Sequence, residues 1–465
     1  MSATLATPSL AADVAAIVGE QHALADPAQL ASYAIEGIEP ALVVTPANAE
    51  EVAAIVRVGN QAGANIVAAG GMTAQDFGAA PEPGFILLRS ARLKEVEHYD
   101  AGDLTVGVGA GTTLAELDAM LAANRQMLPL DGACGEAATL GGALARNAQG
   151  PLQHGYGGVR DYCIGVRFVT GDGKRAKAGG RVVKNVAGYD LMKLLIGSFG
   201  TLGVITSASF KLVPRPLNTA TFAAGFGSPA DALAWRDRVL ASPLAPMCLE
   251  IVSPHAHDFL RAAPEPRDPD HFDPGPQRAA PGWSVLLRAA GSPGVLDRYR
   301  RELRAVPADR IDELDSAAEA ELWRHAANYS ENVVSRHQNA MLVQLTVPIQ
   351  SAGPALEAVE RAALDYNFAP AIIGRCGVGI LQAAFLPLAT DPPSAMQFAA
   401  AVSALRASLA AGSSAWSSAV VARCPREAKL HFNLWGEPAS DAECMVAVKR
   451  ALDPGGILNR GRYVS

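Results

Sequence analysis

The sequence predicts an α+β protein in which a domain of small α/β units carries a second, inserted domain. Three observations support this. A glycine-rich strand-loop-helix-loop-strand passage runs from Gly179 to Thr206, GGRVVKNVAGYDLMKLLIGSFGTLGVIT; a strand-helix-strand unit opens at Ala41; and after Val213-Pro-Arg-Pro-Leu217 the rhythm changes to longer alternating strands and helices. At 465 residues the chain exceeds one ordinary domain, so two domains, or one large and one inserted, are expected.

Composition narrows the function. Hydrophobic residues make up 49% and charged residues 18%, the balance of a well-buried globular protein. A formal charge of −7 supplies no electrostatic reason for nucleic-acid binding, and no basic patch interleaved with aromatics occurs. The cysteines at 134, 163, 248, 376, 424 and 444 show no C-x-x-C spacing. That argues against an iron–sulfur or zinc site within the chain and suits a reducing compartment. The opening MSATLATPSLAADVAAIVG lacks a positive region and contains Asp13, so it does not read as a signal peptide, and no long apolar run reads as a membrane span. A cytoplasmic protein is expected, reaching a membrane at most through partners.

Leu10 to Gly19 and Pro27 to Ser32 read as short helices. Ala41 to Thr45 reads as a strand, Asn48 as the cap of a helix over Ala49 to Ala62 with Val52, Ile55, Val56 and Gly59 inward, and Asn65 to Ala69 as a second strand. The loop Gly70-Gly71-Met72-Thr73 to Gly78 follows. Consecutive glycines after a strand leave backbone N–H groups free to face a phosphate without any basic residue; a tight turn without a ligand is the other reading. Phe85 to Leu88, Val96 to Asp100 and Leu104 to Val108 are further strands, and Thr112 or Thr113 caps a helix carrying Leu114, Leu117, Met120 and Leu121. Leu128 to Gly132 then leads to a second glycine segment, Ala137 to Gly150. Thr139 stands where a helix begins, so its hydroxyl and the adjacent N–H groups can meet an anion.

Ile164 to Thr170 and Arg175 to Lys177 form a hairpin turning at Gly171-Asp172-Gly173. Arg160 and Asp161 read as a structural pair, and His154 as a structural histidine. In the glycine-rich passage Arg181 to Val183 is a strand and Val186 to Tyr189 a turn. Asp190 caps a helix over Leu191 to Ile196 with Leu191, Leu194 and Leu195 on one face, Gly200 and Gly203 bracket a turn, and Val204 to Val213 is a strand. Two prolines then close the first domain. Strands are expected at 219–225, 247–252, 283–288, 341–348, 369–374 and 378–386, with helices at 231–240, 295–303 and 354–366, as a sheet covered on one face. Ala263 to Gly282, rich in Pro, Asp and Gly, reads as a mobile surface loop.

Three stretches carry a family resemblance. K-N-V-A-G-Y-D-L followed by S-F-G-T-L-G-V-I-T, the A-T-L-G-G segment running through Asn147 to Gly150, and the tail D-P-G-G-I-L-N-R-G-R resemble the FAD domain of the vanillyl-alcohol oxidase/PCMH superfamily, in the branch holding glycolate oxidase and D-lactate dehydrogenase. The resemblance implies a PCMH-type FAD-binding domain of two α/β subdomains over 1–216, an inserted α+β cap over 217–430, and a segment over 431–465 that returns to the FAD domain. It implies FAD contacts from Ala69, Gly70, Gly71, Met72, Thr73, Pro129, Asp131, Thr139, Gly142, Asn147, Gly203, Val204 and Ile205. Met72 stands where the family usually has glycine, and Ala69 where it often has arginine. A positive φ is uncommon for a non-glycine residue, so a re-shaped loop or looser flavin is expected there. The loop has no histidine and no cysteine motif for tethering, which implies non-covalent FAD.

Oxidising a 2-hydroxy acid on a flavin requires a carboxylate-binding group and a base or metal at the hydroxyl. The catalytic branch supplies these from H-x-G-x-G-x-L-H and E-H-G-x-G segments. Here Gly374-Arg-Cys-Gly-Val-Gly-Ile-Leu-Gln382 puts Arg375 and Gln382 at the two histidine positions, and Ser417 to Arg426 lacks the Glu-His pair. Arginine does not act as a base or ordinary ligand near neutrality, so no metal site is expected. V-V-x-R-x-P-x-E-x-K leading to L-W-G is similar to the E subunit of bacterial glycolate oxidase, which implies a catalytic FAD subunit and an iron–sulfur subunit as partners. Two alternatives stay open. One is a self-sufficient FAD oxidoreductase on a small alcohol or 2-hydroxy acid, with Arg375, Arg423 or Arg426 binding a carboxylate and His431 as base; for these the plain readings are solvated arginines and a satisfied histidine on an apolar strand. The other is an assembly protein that has lost FAD.

Overall fold

Asn48 accepts the backbone N–H of Glu51 at 2.9 Å, capping the helix Ala49–Ala62, and Gly63 ends it in the left-handed conformation at φ 64°. Its inward face, Val52, Ile55 and Val56, packs on Leu42, Val44, Ile66, Ile86 and Leu88. The computed structural model describes residues 8–132, 135–181, 189–262, 282–389, 391–412, 417–437 and 440–463. The strand and turn expected within 182–188, and nearly all of the loop expected at 263–282, lie outside the described residues.

The strands under that helix make a four-stranded sheet in the order Ala23–Leu24, Leu42–Val44, Ile86–Arg89, Ile66–Ala69. Ile86–Arg89 runs parallel to both Leu42–Val44 and Ile66–Ala69 and lies between them. A second, antiparallel sheet orders Val96–Asp100, Thr105–Gly109, Val204–Lys211, Cys163–Val169 and Arg175–Gly179. The cap of Leu114–Ala122 is Thr113, in a reciprocal capping box with Glu116.

Two local expectations change. The helix in the glycine-rich passage is only Met192–Leu195, without a side-chain cap, because Asp190 pairs with Lys193 Nζ at 2.8 Å. Leu195 is buried while Leu191 and Leu194 are exposed, so they share no inward face. Asp161 accepts the N–H of Gly158 at 2.8 Å, capping its own turn where a pair with Arg160 was expected.

The chain divides into two compact units, one of 1–149, 158–215 and 437–465, the other of 150–157 and 216–436. In the first, the C-terminal tail lies parallel to Ile66–Ala69: Ile66 N–H donates to Ile457 O at 2.7 Å and Asn459 N–H to Ile66 O at 2.8 Å. The buried Lys449 Nζ donates to Asp453 Oδ2 at 2.5 Å, Thr201 O at 2.8 Å and Leu458 O at 3.0 Å, while Asp453 accepts the N–H groups of Ile457 and Leu458.

The second unit is one eight-stranded antiparallel sheet, ordered Arg310–Glu313, Thr219–Phe226, Trp283–Ala290, Cys248–Val252, Phe368–Arg375, Ile380–Pro387, Met341–Thr346, Ser418–Arg423. Helices cover both faces, where one was expected. Phe368 meets Phe398 of the helix Ala395–Gly412 on one face. On the other, Ala371 accepts Tyr329 OH at 2.8 Å and Thr221 accepts Trp323 Nε1 at 2.8 Å. The helices Ser316–Ala327 and Tyr329–Arg336 that supply these groups carry many polar residues in a chain read as connection, which hid them. Among the described residues no helix is long and apolar enough to cross a membrane.

Removing one partner of a buried ion pair leaves the other uncompensated, so Asp453→Ala is expected to destabilise the first unit by about 3–5 kcal/mol, read as a lower urea midpoint. In the second unit His154, His257, His325 and His337 are all held below the usual histidine value near 6.5, first by burial. The unfolded chain therefore binds more protons below that value, and stability present above it drains as pH falls through the lowered values. Urea midpoints of the second unit measured between neutral and mildly acidic pH should fall, and His154→Gln should flatten part of that slope.

Candidate functional site

The first glycine loop leaves the strand Ile66–Ala69, and its bare backbone meets the second glycine segment at the Thr139 hydroxyl and the Ala137 carbonyl. A Cβ at Gly70 would lie 1.9 Å from Thr139 Oγ1, and one at Gly71 would lie 1.7 Å from Ala137 O, so only glycine fits either place. Met72 follows at φ 62°. The loop therefore keeps the left-handed turn although its residue is not glycine. Arg89 Nη2 reaches Gly70 O at 3.2 Å, tying the loop to the neighbouring strand.

Thr139 Oγ1 accepts Gly142 N–H at 3.3 Å and caps Leu140–Arg146, so the hydroxyl is engaged by its own helix. The third turn is strapped to the far end of that helix: Gly197 N–H donates to Leu144 O at 3.0 Å and Phe199 N–H to Ala145 O at 2.8 Å. Between the three turns lies a cleft of about 910 Å³, counted with its open mouth. Of the residues named above for FAD contact, Ala69, Gly70, Gly71, Met72, Thr73, Thr139, Gly142, Gly203, Val204 and Ile205 line it.

Pro129, Asp131 and Asn147 are not among its lining residues. Leu130, between the first two, packs on Ala138, Ala143 and Ala148, and Gly132 O accepts Arg146 Nη2 at 2.5 Å, so this segment supports the helix from behind. Asn147 is that helix's left-handed cap at φ 54°. The wall also includes Phe77, Arg146, Asn459 and Arg462. Arg146 was legible as part of the second segment, and Asn459 and Arg462 as part of the tail motif, but only tertiary contact shows that they reach the cleft.

These walls suit FAD. The Arg146 guanidinium lies 4.7 Å from the Phe77 ring centroid. Burial pulls the Arg462 guanidinium down to about 10, against the opposing pull of Glu36 and Asp76. Two cations in the wall answer the negative charge of a dinucleotide. Asn459 is 4% exposed, and its Oδ1 is buried with no hydrogen-bond partner among the described residues. A buried acceptor left unused costs stability unless a ligand completes it.

The residues considered for catalysis lie in the second unit. Arg375, 3% exposed, ends the strand Phe368–Arg375 and donates from Nη1 to Gly150 O at 3.4 Å and Gln153 Oε1 at 3.2 Å. It stands directly across from the buried Glu250 in the antiparallel register. Arg423 is buried and donates to Glu331 Oε2 at 3.1 Å, and Arg426 is exposed. His431 is not on a strand: it closes the short turn of helix Ala428–Leu430 and is exposed. Proline at 425 and the 3-10 turn end the strand before it, so the apolar alternation that suggested a strand is not realised. Among the described residues no three His, Cys, Asp or Glu side chains gather as a metal site.

Residues 40–179 match the family model described as FAD binding domain. A D-lactate dehydrogenase of Archaeoglobus fulgidus is 37% identical over 216 residues, 46% of this chain and 48% of that protein. The glycolate oxidase subunit GlcE of Escherichia coli is 45% identical over 122 residues, 26% of this chain and 35% of that subunit. Glycolate oxidase subunit GlcD of Bacillus subtilis is 25% identical over 348 residues, 74% of this chain and 72% of that subunit. The chain thus spans about half or less of the first two relatives. p-Cresol methylhydroxylase with substrate bound superposes at TM-score 0.75 and 17% identity, covering 98% of this chain and 96% of that one. The fold is therefore the PCMH-type FAD-binding fold, and FAD is the cofactor.

At Gly71→Ala a Cβ would press into the carbonyl of Ala137, so this variant should lose FAD at gel filtration while retaining its far-ultraviolet circular dichroism. Met72→Gly should relieve the left-handed strain, against the greater freedom of glycine in the unfolded chain, and change stability by about 1 kcal/mol or less, measured by urea unfolding of the FAD-free protein.

Proposed function

We propose that this chain is the FAD-binding subunit of a glycolate-oxidase-like 2-hydroxy-acid dehydrogenase complex, working beside a catalytic FAD subunit and an iron–sulfur subunit. One observation carries the reading. The three glycine turns enclose a cleft fit for FAD, while the segment that bears histidines in the catalytic branch has Arg375 and Gln382 in their places, on the paired strands Phe368–Arg375 and Ile380–Pro387. The similarity to GlcE over 122 residues and to GlcD over most of the chain supports the same reading.

When bound, FAD supplies the redox chemistry; the residues of the chain hold it and set its surroundings. Glycine backbone at 70 and 71 allows close approach, Arg146 and Arg462 balance charge, and Phe77 and Phe199 give the cleft apolar wall. No histidine or cysteine lines the cleft among the described residues, which supports non-covalent attachment. Arg375 spends donors on Gly150 O and Gln153 Oε1 and holds a guanidinium that does not take a proton from a hydroxyl near neutrality. A base on the reacting hydroxyl is thus assigned to the partner subunit.

Purified alone, the protein should carry the flavin absorption bands. With glycolate or D-lactate it should reduce an artificial acceptor about 100-fold or more slowly than the complex assembled with its host's two partner subunits, the share that a positioned base commonly contributes. Turnover by the chain alone at the rate of the complex would reject the subunit role in favour of a self-sufficient oxidoreductase.

A further inference from the structure

The last residues of the first unit reach the cleft from a different direction than the three glycine turns. After Asp453 the chain pairs with Ile66 through Ile457 and Asn459, then turns at Asn459, φ 46°, and again at Gly461, φ 75°. Asn459 Nδ2 donates to Phe199 O at 2.6 Å, and a Cβ at Gly200 would lie 2.5 Å from that nitrogen. The same side chain's Oδ1 is the unused buried acceptor in the cleft wall. Arg462 grips the first glycine loop from the other side. Its Nε donates to Ala79 O at 3.1 Å, Nη1 to Gln75 Oε1 at 2.6 Å and Nη2 to Phe77 O at 2.9 Å, with a further bond to Gln75 O.

We propose that this tail is a fourth wall of the FAD site: Asn459 contacts the cofactor through Oδ1, and Arg462 is a positioning residue that holds the first glycine loop in its binding shape. The proposal rests on FAD as cofactor but is independent of which substrate or partner the protein serves. The chemistry of Oδ1 calls for a donor, and an amide N–H or a hydroxyl of FAD provides one. Arg462 serves through its planar fork, which satisfies three carbonyls and one amide oxygen of a loop with no regular structure of its own. Lysine, a point donor, cannot span them. The tail thereby links two cofactor loops that are far apart in sequence, one through each residue.

Three variants test this in the full-length protein. Asn459→Gly removes the side chain where the backbone is left-handed and glycine is tolerated. Asn459→Asp keeps the shape but exchanges the amide for a second acceptor, and Arg462→Lys keeps the charge but loses the fork. FAD release is followed by flavin fluorescence after dilution, and urea midpoints are taken on the FAD-free protein. Each variant should release FAD about tenfold faster or more, with circular dichroism and FAD-free midpoint near those of the wild type. Folded variants that keep the wild-type release rate would overturn the proposal. So would FAD loss that follows only the loss of fold in all three, since the tail would then be a structural clamp alone. Wild-type protein that binds no FAD would instead overturn the cofactor assignment beneath it.

Discussion

The close approach of the Gly70 and Gly71 backbone to Thr139 Oγ1 and Ala137 O is the constraint on which the site depends. With 1.9 Å and 1.7 Å between the places where Cβ atoms would stand and Thr139 Oγ1 and Ala137 O, the main chain of the first loop presses on the hydroxyl that caps Leu140–Arg146 and on the carbonyl just before it. Nothing larger than hydrogen fits, so the loop cannot be displaced outward by side-chain bulk. At these two positions the loop offers the cleft backbone without side chain, which lets a flat dinucleotide come close. Met72 shows how firmly the turn is imposed, because its φ of 62° is kept by a residue that pays about 1–2 kcal/mol for it.

Holding such loops together is the task of the C-terminal tail. Loops with few apolar contacts lose entropy on ordering and recover little by burial. Hydrogen bonds from Lys449 to Thr201 O, from Asn459 to Phe199 O and from Arg462 to Phe77 O compensate for this. Lys449 is acceptable in a buried place because Asp453 stands beside it and two carbonyls complete its donors. Arg462 instead donates to the carbonyls of Gln75, Phe77 and Ala79 and to Gln75 Oε1, and burial holds its guanidinium below the usual arginine range. A cation held at that cost within a cofactor cleft is consistent with a role towards an anionic ligand.

The second unit follows a different economy. Its large sheet is covered on both faces, and polar side chains that reach its interior are met there: Arg288 by Glu319 at 2.8 Å, Arg423 by Glu331, Arg375 by Gly150 and Gln153. Residues 150–157 belong with this unit although they lie far from it in sequence. They supply the acceptors for Arg375 and carry His154, which packs against Gly377 where a Cβ would lie 2.2 Å from its ring. Arg375 thus ties the end of its strand to the 150–157 segment.

Much of the first unit was legible because its signals are local. Asn48, Thr113 and Thr139 each cap the helix they precede, the Asp172-Gly173 dipeptide turns its hairpin, and glycine pairs mark where backbone approaches something flat. Two expectations failed where local pattern met a tertiary demand: Asp190 pairs with Lys193, and His431 closes a turn. The amino-acid order alone determined which turns need glycine, which residues begin helices and which family the motifs resemble, since steric freedom and capping act within a few residues. Only the folded chain decided that Asn459 and Arg462, almost four hundred residues from Gly70, stand in the same wall, because that contact is created by packing the tail beside Ile66 and by nothing in its own sequence neighbourhood.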